Sequence, residues 1–270
     1  MKLKKLQKEW VSSWDNSELQ AQIWNRAAMD YANKPIPDLE SNPFLHLLNE
    51  KQLIKPDAIV LDIGCGAGLY SLALASRVKG AVGIDVSPLM VEYGQERAKS
   101  MALSNVTLSH LDWATANVDS LGFRSAFDLV FAHMTPAICD YATFDNMNLC
   151  SKAYCAMVKP ARRRDVVQDG AFALIGIEGQ AAHFEDTIVN AFSYLWEKGC
   201  CPELSYRQEC WHFTKSLENM AAWCIDRARL HKKLSTRDEE MISNYLQGIS
   251  ENGMVTETVT TTIVTMLWHV

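Results

Sequence analysis

The stretch VLDIGCGAGLYS, Val60 to Ser71, decides the fold: an apolar run breaks into Gly64, Gly66 and Gly68 and resumes as a helix-like pattern. A continuous apolar run suits a parallel strand covered on both faces. Glycines directly after it let the backbone turn and come close to a ligand. Working outward, the same alternation repeats. LYSLALASRV (69–78) reads as a helix, AVGID (81–85) as a strand and PLMVEYGQERAKSMA (88–102) as a helix opened by Pro88. VTLSHLD (106–112) and FDLVFAHM (127–134) are two further strands. Strands alternating with helices define a parallel α/β sheet with right-handed crossovers.

Beyond Met134 a helix is expected at Thr143 to Lys152, then a fifth strand at AYCAMV (153–158) ending at Lys159-Pro160. AFALIGI (171–177) competes for that place but would leave a long connection, so it is read as part of an added helix. HFEDTIVNAFSYLWEKG (183–199) is a helix closed by Gly199. ELSYRQECWHF (203–213) and MVTETVTTTIVTMLWHV (254–270) have the β-branched and aromatic character of strands, with one or two helices between Ser216 and Ser250. At the other end, Trp10, Trp14, Trp24 and Tyr31 recur at helical spacing up to about Asn33, where NKPIPD breaks the helix; a short helix follows around Phe44 to Glu50.

Composition narrows the function. At 270 residues, 48% hydrophobic and 21% charged, the chain can bury a full core as one globular domain. A net charge of −6 argues against a phosphate-coating surface, so no nucleic-acid partner is expected. Lys2, Lys4, Lys5 and Lys8 alternate with Leu3 and Leu6 as the solvated side of a first helix. No apolar run approaches the roughly 20 residues of a bilayer span, and the start MKLKKLQKEW lacks a secretory apolar segment, so no membrane partner is expected. The eight cysteines form no CxxC pair, although Cys200 and Cys201 are adjacent and Cys150 and Cys155 lie close. Reduced thiols in a cytoplasmic protein, with no metal, are the reading; a thiol or metalloid site is the alternative.

Two carboxylates carry the chemistry of the glycine loop. Asp62 ends the first strand just before Gly64, and Asp85 ends the second, where a carboxylate can accept both hydroxyls of a ribose. The spacing is G-x-G-x-G, with Leu69 where a dinucleotide fingerprint has its last glycine. An acid beside the loop suits an ammonium group better than a pyrophosphate. The better ligand is an adenosine carrying a cationic amino acid.

LDIGCGAG followed by VGIDVS resembles the first two motifs of the class I S-adenosylmethionine-dependent methyltransferases, of the small-molecule type, over about residues 58–160. The resemblance implies a Rossmann-like seven-stranded, mostly parallel sheet with an antiparallel last strand, flanked by helices, with an N-terminal helical lid and helical insertions. It divides one domain, 1–270, into a lid (1–50), a cofactor-binding core (58–160) and a sheet completion with helical cap insertions (161–270). It implies S-adenosylmethionine as cofactor, released as S-adenosylhomocysteine. Gly64, Cys65, Gly66 and Gly68 would line its methionine and ribose, Asp62 its amino group, and Asp85 with Val86 the ribose diol. Asp112 would bond the adenine amino group, while Trp113 either packs on the ring or belongs to the core. In WNRAAMDY (24–31), Trp24 and Tyr31 are lid contacts or simply helix packing, and Arg26 is placed near the methionine carboxylate.

The acceptor should lie beyond the fourth strand, at AHMTPAI (132–138). The [DNS]-P-P-[YFW] motif of relatives that methylate base amines is absent there, leaving His133, Met134 and Thr135 as the mouth. His133 is either a general base or a cofactor-facing structural residue; Thr135 is a substrate contact. KPARRRD (159–165) departs from the family's usual KPGG. Alternation along an extended segment puts Arg162 and Arg164 on one face, as contacts for an acidic group of a small-molecule acceptor, and Arg163 on the other. Methyl transfer to a small molecule is the expected activity; the alternatives are a thiol or metalloid acceptor, or cofactor binding without catalysis.

Overall fold

The computed structural model describes residues 2–12, 17–177 and 181–270, and of 181–184 the backbone only. Trp14 lies outside the described residues. The helix expected up to Asn33 is two helices, α1 (Lys2–Glu9) and α2 (Ser17–Ala32). A third, α3 (Pro43–Glu50), is opened by Asn42, whose side chain accepts from the Phe44 and Leu45 amides at 3.1 Å each.

The alternating core follows: β1 (Ile59–Ile63), α4 (Leu69–Leu74), β2 (Gly80–Asp85), α5 (Pro88–Ser100), β3 (Val106–His110), β4 (Phe127–His133) and α6 (Tyr141–Cys150). The remainder is β5 (Ser151–Asp165), α7 (Val166–Leu174), α8 (Ala181–Glu197), β6 (Glu203–Ser216), α9 (Leu217–Arg229), α10 (Thr236–Ile249) and β7 (Met254–His269). All seven strands form one sheet in the order β3-β2-β1-β4-β5-β7-β6, with β7 antiparallel to both its neighbours and the other six parallel. The chain leaves β1 towards β2 and β3 on one side, then returns to lay β4 on the other. That reversal puts the carboxyl ends of β1 and β4 at a topological switch point.

Both faces of the sheet are covered, as the apolar runs require. Along β4, Leu129 and Phe131 join Phe44, Leu45 and Leu48 of α3, whereas Val130 and Ala132 join Phe144 of α6 and Leu195 of α8. A third cluster, including Phe172, Cys224 and Leu246, binds α7, α9 and α10 together. AFALIGI belongs to α7 and the turn after it, as expected.

The fifth strand corrects the expected boundary. It does not end at Lys159-Pro160 but pairs with β7 as far as Asp165↔Val259. Pairing with β4 stops at His133↔Val158, so Pro160 has a strand on one side only and its missing amide is tolerated. Between Ala161 and Arg164 the register shifts, and Arg162 takes φ +48°: the arginine run is a β-bulge. Among the described residues no helix is long and apolar enough to cross a membrane.

Candidate active site

A cleft of about 1000 Å³ opens over the carboxyl ends of β1 to β4. Its floor is the glycine loop. The Gly64 and Cys65 amides donate to the Ile84 carbonyl at 2.8 and 2.9 Å, tying the loop to β2. Gly64 has φ +70°, and a Cβ there would lie 2.0 Å from Thr135 Oγ1, so the loop and the β4–α6 connection touch only because the residue is glycine. Gly66, at φ +55°, donates its amide to Asp85 Oδ2 at 2.8 Å, while Asp85 Oδ1 accepts from the Ser87 amide at 2.8 Å. Gly68 departs from its expected place: it precedes α4, where a Cβ would meet Leu108 Cδ1 at 2.6 Å, and it does not line the cleft. Its requirement is close packing against β3.

Asp62 is 2% exposed and its Oδ2 accepts from the Ser71 hydroxyl at 2.9 Å. Burial raises its carboxyl to about 7, against the opposing Ser71 bond and with a contribution from Asp85. Burial also raises Asp85, although the Ser87 and Gly66 amides pull it down. Two buried acids held this way fit a cationic ligand, which would restore their ionised form. Val86, Asp112 and Trp113 continue the same wall. Asp112 caps a short turn, its Oδ1 accepting from Ala114 N at 3.0 Å. Trp113 combines the two readings, as a core residue whose Nε1 donates to the Thr143 carbonyl at 3.0 Å and whose surface still lines the cleft.

α2 forms the opposite wall, packed through Ala27 and Ala28 against Ala67 and Met90. Trp24 and Tyr31 both line the cleft, edge to face at 6.1 Å. Arg26 does not; it pairs with Asp226 of α9, so the expected carboxylate contact is replaced by an ion pair. A second pair, Lys215 of β6 with Asp30 of α2 at 2.8 Å, joins the same two walls.

His133 ends β4 with its ring 4.2 Å from Tyr70 and 4.9 Å from Phe44, centroid to centroid, and Nε2 3.2 Å from the Tyr70 hydroxyl. Burial, with help from the Arg207 guanidinium, pushes its imidazole down to about 3. Thr135 lines the cleft, and its carbonyl, with that of Ile138, receives the Lys159 ammonium at 2.6 and 2.7 Å. Lys159 is buried and pushed down to about 8 by that burial. It is a brace that sequence reading passed over.

Arg162 and Arg164 are both exposed and outside the cleft, which corrects their expected place at the acceptor. The bulge turns Arg163 inward instead, with its Nε and Nη2 on Asp165 at 2.6 and 2.8 Å. Lys215, Trp211, Trp223 and Arg227 also line this end and were not anticipated, because β6 and α9 carry no motif that marks them. The charged lining is sorted by sign. Asp62, Asp85 and Asp112 stand over β1 to β3, whereas Lys34, Arg163, Lys215 and Arg227, with Asp30, stand on the side of α2, β5, β6 and α9.

Comparison with known proteins identifies the family. Residues 54–233 match the model of a family described as a methyltransferase domain, about two thirds of the chain. The chain belongs to that family of methyltransferase domains. Among solved structures, a putative methyltransferase from Bacillus halodurans is 16% identical, covering 83% of this chain and 97% of its own, at a TM-score of 0.50. The YcgJ protein of Bacillus subtilis is 15% identical, with coverage of 82% and 96% and a TM-score of 0.49. The curated 23S rRNA (uracil(1939)-C(5))-methyltransferase RlmD of Klebsiella pneumoniae is 44% identical over 57 residues, which is 21% of this chain and 13% of that protein. The chain thus spans a small fraction of the curated relatives it matches.

Proposed function

We propose that the protein transfers a methyl group from S-adenosylmethionine to a small-molecule acceptor bound in the cleft over β4. When bound, that cofactor supplies a sulfonium methyl, whose carbon–sulfur bond gives its electron pair to sulfur as the acceptor's lone pair takes the carbon. The chain's residues bind, orient and exclude water. Asp62 holds the amino group, Asp85 with the Val86 backbone the ribose hydroxyls, and Asp112 with Trp113 the adenine. Gly64, Cys65 and Gly66 form the floor, and Trp24 and Tyr31 close over it from α2. Thr135 faces the acceptor. The observation that carries this reading is the wall of three acids beside a glycine loop tied to β2.

We assign His133 to the cleft wall, wedged between Phe44 and Tyr70, and not to proton removal. An imidazole whose conjugate acid titrates near 3 is a weak base. An acceptor that arrives deprotonated needs none. The thiol or metalloid alternative is not favoured: Cys150 and Cys155 are core residues off the cleft, and burial pushes Cys150 up to about 12 and Cys155 higher still. Eight free cysteines fit a cytoplasmic location.

Calorimetry tests the reading. S-adenosylmethionine should bind the wild type, and Asp85→Ala should weaken it by about tenfold or more, the worth of a charge-assisted hydrogen bond. Equal affinities would place the ribose elsewhere.

A further inference from the structure

One cluster of nucleophilic and titratable side chains has no part in methyl transfer. It lies on β6 and β7, which run antiparallel with Cys210 opposite Thr260 and His212 opposite Thr258. Side chains alternate along a strand, so Cys210 and His212, two residues apart, share a face. Bonds between the strands fix that face. Gln208 Nε2 donates to Thr262 Oγ1 at 3.0 Å, and the Thr214 and Thr256 hydroxyls lie 2.9 Å apart. Cys210 and His212 sit between these two pairs, and both are exposed.

The middle of this row has the order of a nucleophile, a base and an orienting group. Cys210 Sγ stands 3.6 Å from His212 Nε2, and His212 Nδ1 stands 3.1 Å from Thr258 Oγ1. A neutral imidazole carries one ring proton. A thiol donating to Nε2 therefore leaves that proton on Nδ1, where the Thr258 hydroxyl accepts it. The ring is thus held with a lone pair aimed at sulfur, and a thiol placed this way is set up for attack. The other cysteines differ. Cys150, Cys155 and Cys224 are buried, and Cys65, Cys139 and Cys200 are partly buried. Cys201 is exposed as Cys210 is, but has no imidazole partner among the described residues. His212 also lines the cleft, so a group carried on Cys210 would stand at its rim.

From this we propose that Cys210 is a site of reversible thiolation, taking a low-molecular-weight disulfide. The Cys210 sulfur attacks one sulfur of the disulfide while His212 Nε2 takes the thiol proton. A new sulfur–sulfur bond forms to the protein and the original disulfide bond breaks. Its electron pair leaves on the second sulfur, which recovers the proton as a free thiol. Cys210 is oxidised and the departing sulfur reduced, so the disulfide is itself the oxidant. Thr258 is a positioning residue that acts through the His212 ring. A bond of this kind is transient in a reducing compartment, where it reports on the thiol pool.

The experiment treats the folded full chain with glutathione disulfide and follows each cysteine by peptide mass spectrometry. Cys210 should be modified faster than Cys201 by a factor on the order of ten or more. In the urea-unfolded chain the two should react alike. His212→Gln should bring Cys210 down to the rate of Cys201. Thr258→Val should remove most of the advantage, whereas Thr258→Ser, which keeps the hydroxyl, should retain it. The rate at Cys201 and the melting temperature, both unchanged in the variants, show that the fold is intact. Equal rates at Cys210 and Cys201 in the folded wild type overturn the proposal, and so does a gap that survives His212→Gln. Both outcomes leave the methyl-transfer reading standing, since that reading is tested by cofactor binding.

Discussion

Asp62, proposed above to hold the cofactor's amino group, carries a cost to the fold. Its carboxyl titrates at about 7 in the free protein against an ordinary 3.8, because burial penalises the ionised form. The native state therefore keeps a proton that the unfolded chain has released, and the stability contributed by the neutral acid is lost as pH rises from about 4 to about 7. Replacing Asp62 with Asn removes this penalty. Above pH 7 the variant should melt on the order of a few degrees higher than the wild type, with the gap closing towards pH 4. It should also bind S-adenosylmethionine more weakly, without the loss of affinity that the wild type shows below pH 7. Thermal melts and calorimetry across that range check both; a melting gap that does not widen with pH would refute the buried-charge account. Glycine's role at Gly64 was legible in the sequence, since three glycines after an apolar run announce a close approach. Its neighbour across the gap, Thr135, was readable only as a mouth residue, because nothing local says that its hydroxyl lies where a Cβ would go.

At the scale of elements, β1, β2 and β4 were legible because they are largely buried and read as mainly apolar runs, whereas β3, an edge strand in which Leu108 is the one buried residue, was legible from its place in the alternation of strands and helices. β5 was legible only in part. Lys159 and Pro160 look like a terminus, yet the strand continues because β7 supplies its hydrogen bonds. The arginine run was read as an alternating extended segment, but it is a bulge with Arg162 at φ +48°, and which side chain turns inward is set where the register shifts against β7, about a hundred residues away. Trp211, Lys215 and Arg227 meet Arg163 through the sheet order, and no spacing within β6 or α9 encodes that meeting. The connection from β4 to α6 depends on one lysine in the same way. Lys159→Met leaves the Thr135 and Ile138 carbonyls without their donor, so it should destabilise the protein by about 1–3 kcal/mol. Chemical denaturation measures this, and a change well under 1 kcal/mol would mean that the carbonyls find other donors.

On the scale of the whole molecule, one sheet from Ile59 to His269 carries the acidic wall at β1 to β3 and Arg163 and Lys215 at β5 and β6, and α2 faces both. We propose on that basis that residues 1–270 work as one unit, with α2 as its cover. The cover is packed firmly on α5 and joined to the far wall by the Trp223 ring of α9, which packs against the same cluster, and by the ion pairs Arg26–Asp226 and Lys215–Asp30. Asp30 and Arg26 are both more than half exposed, so each ion pair is worth at most about 1 kcal/mol and fades as salt rises. This makes the traffic of ligands, more than their affinity, the property that ionic strength controls. S-adenosylhomocysteine, which lacks the sulfonium charge, isolates the effect: between about 0.05 and 1 M salt its entry and exit rates should both rise about two- to fivefold while its Kd stays nearly constant. Arg26→Ala should be faster already at low salt. Stopped-flow tryptophan fluorescence follows both rates, and rates indifferent to salt would mean the walls part elsewhere. We propose that these two surface ion pairs act with the Trp223 contact as a clasp on α2, one that salt can loosen without touching the residues assigned above to the cofactor.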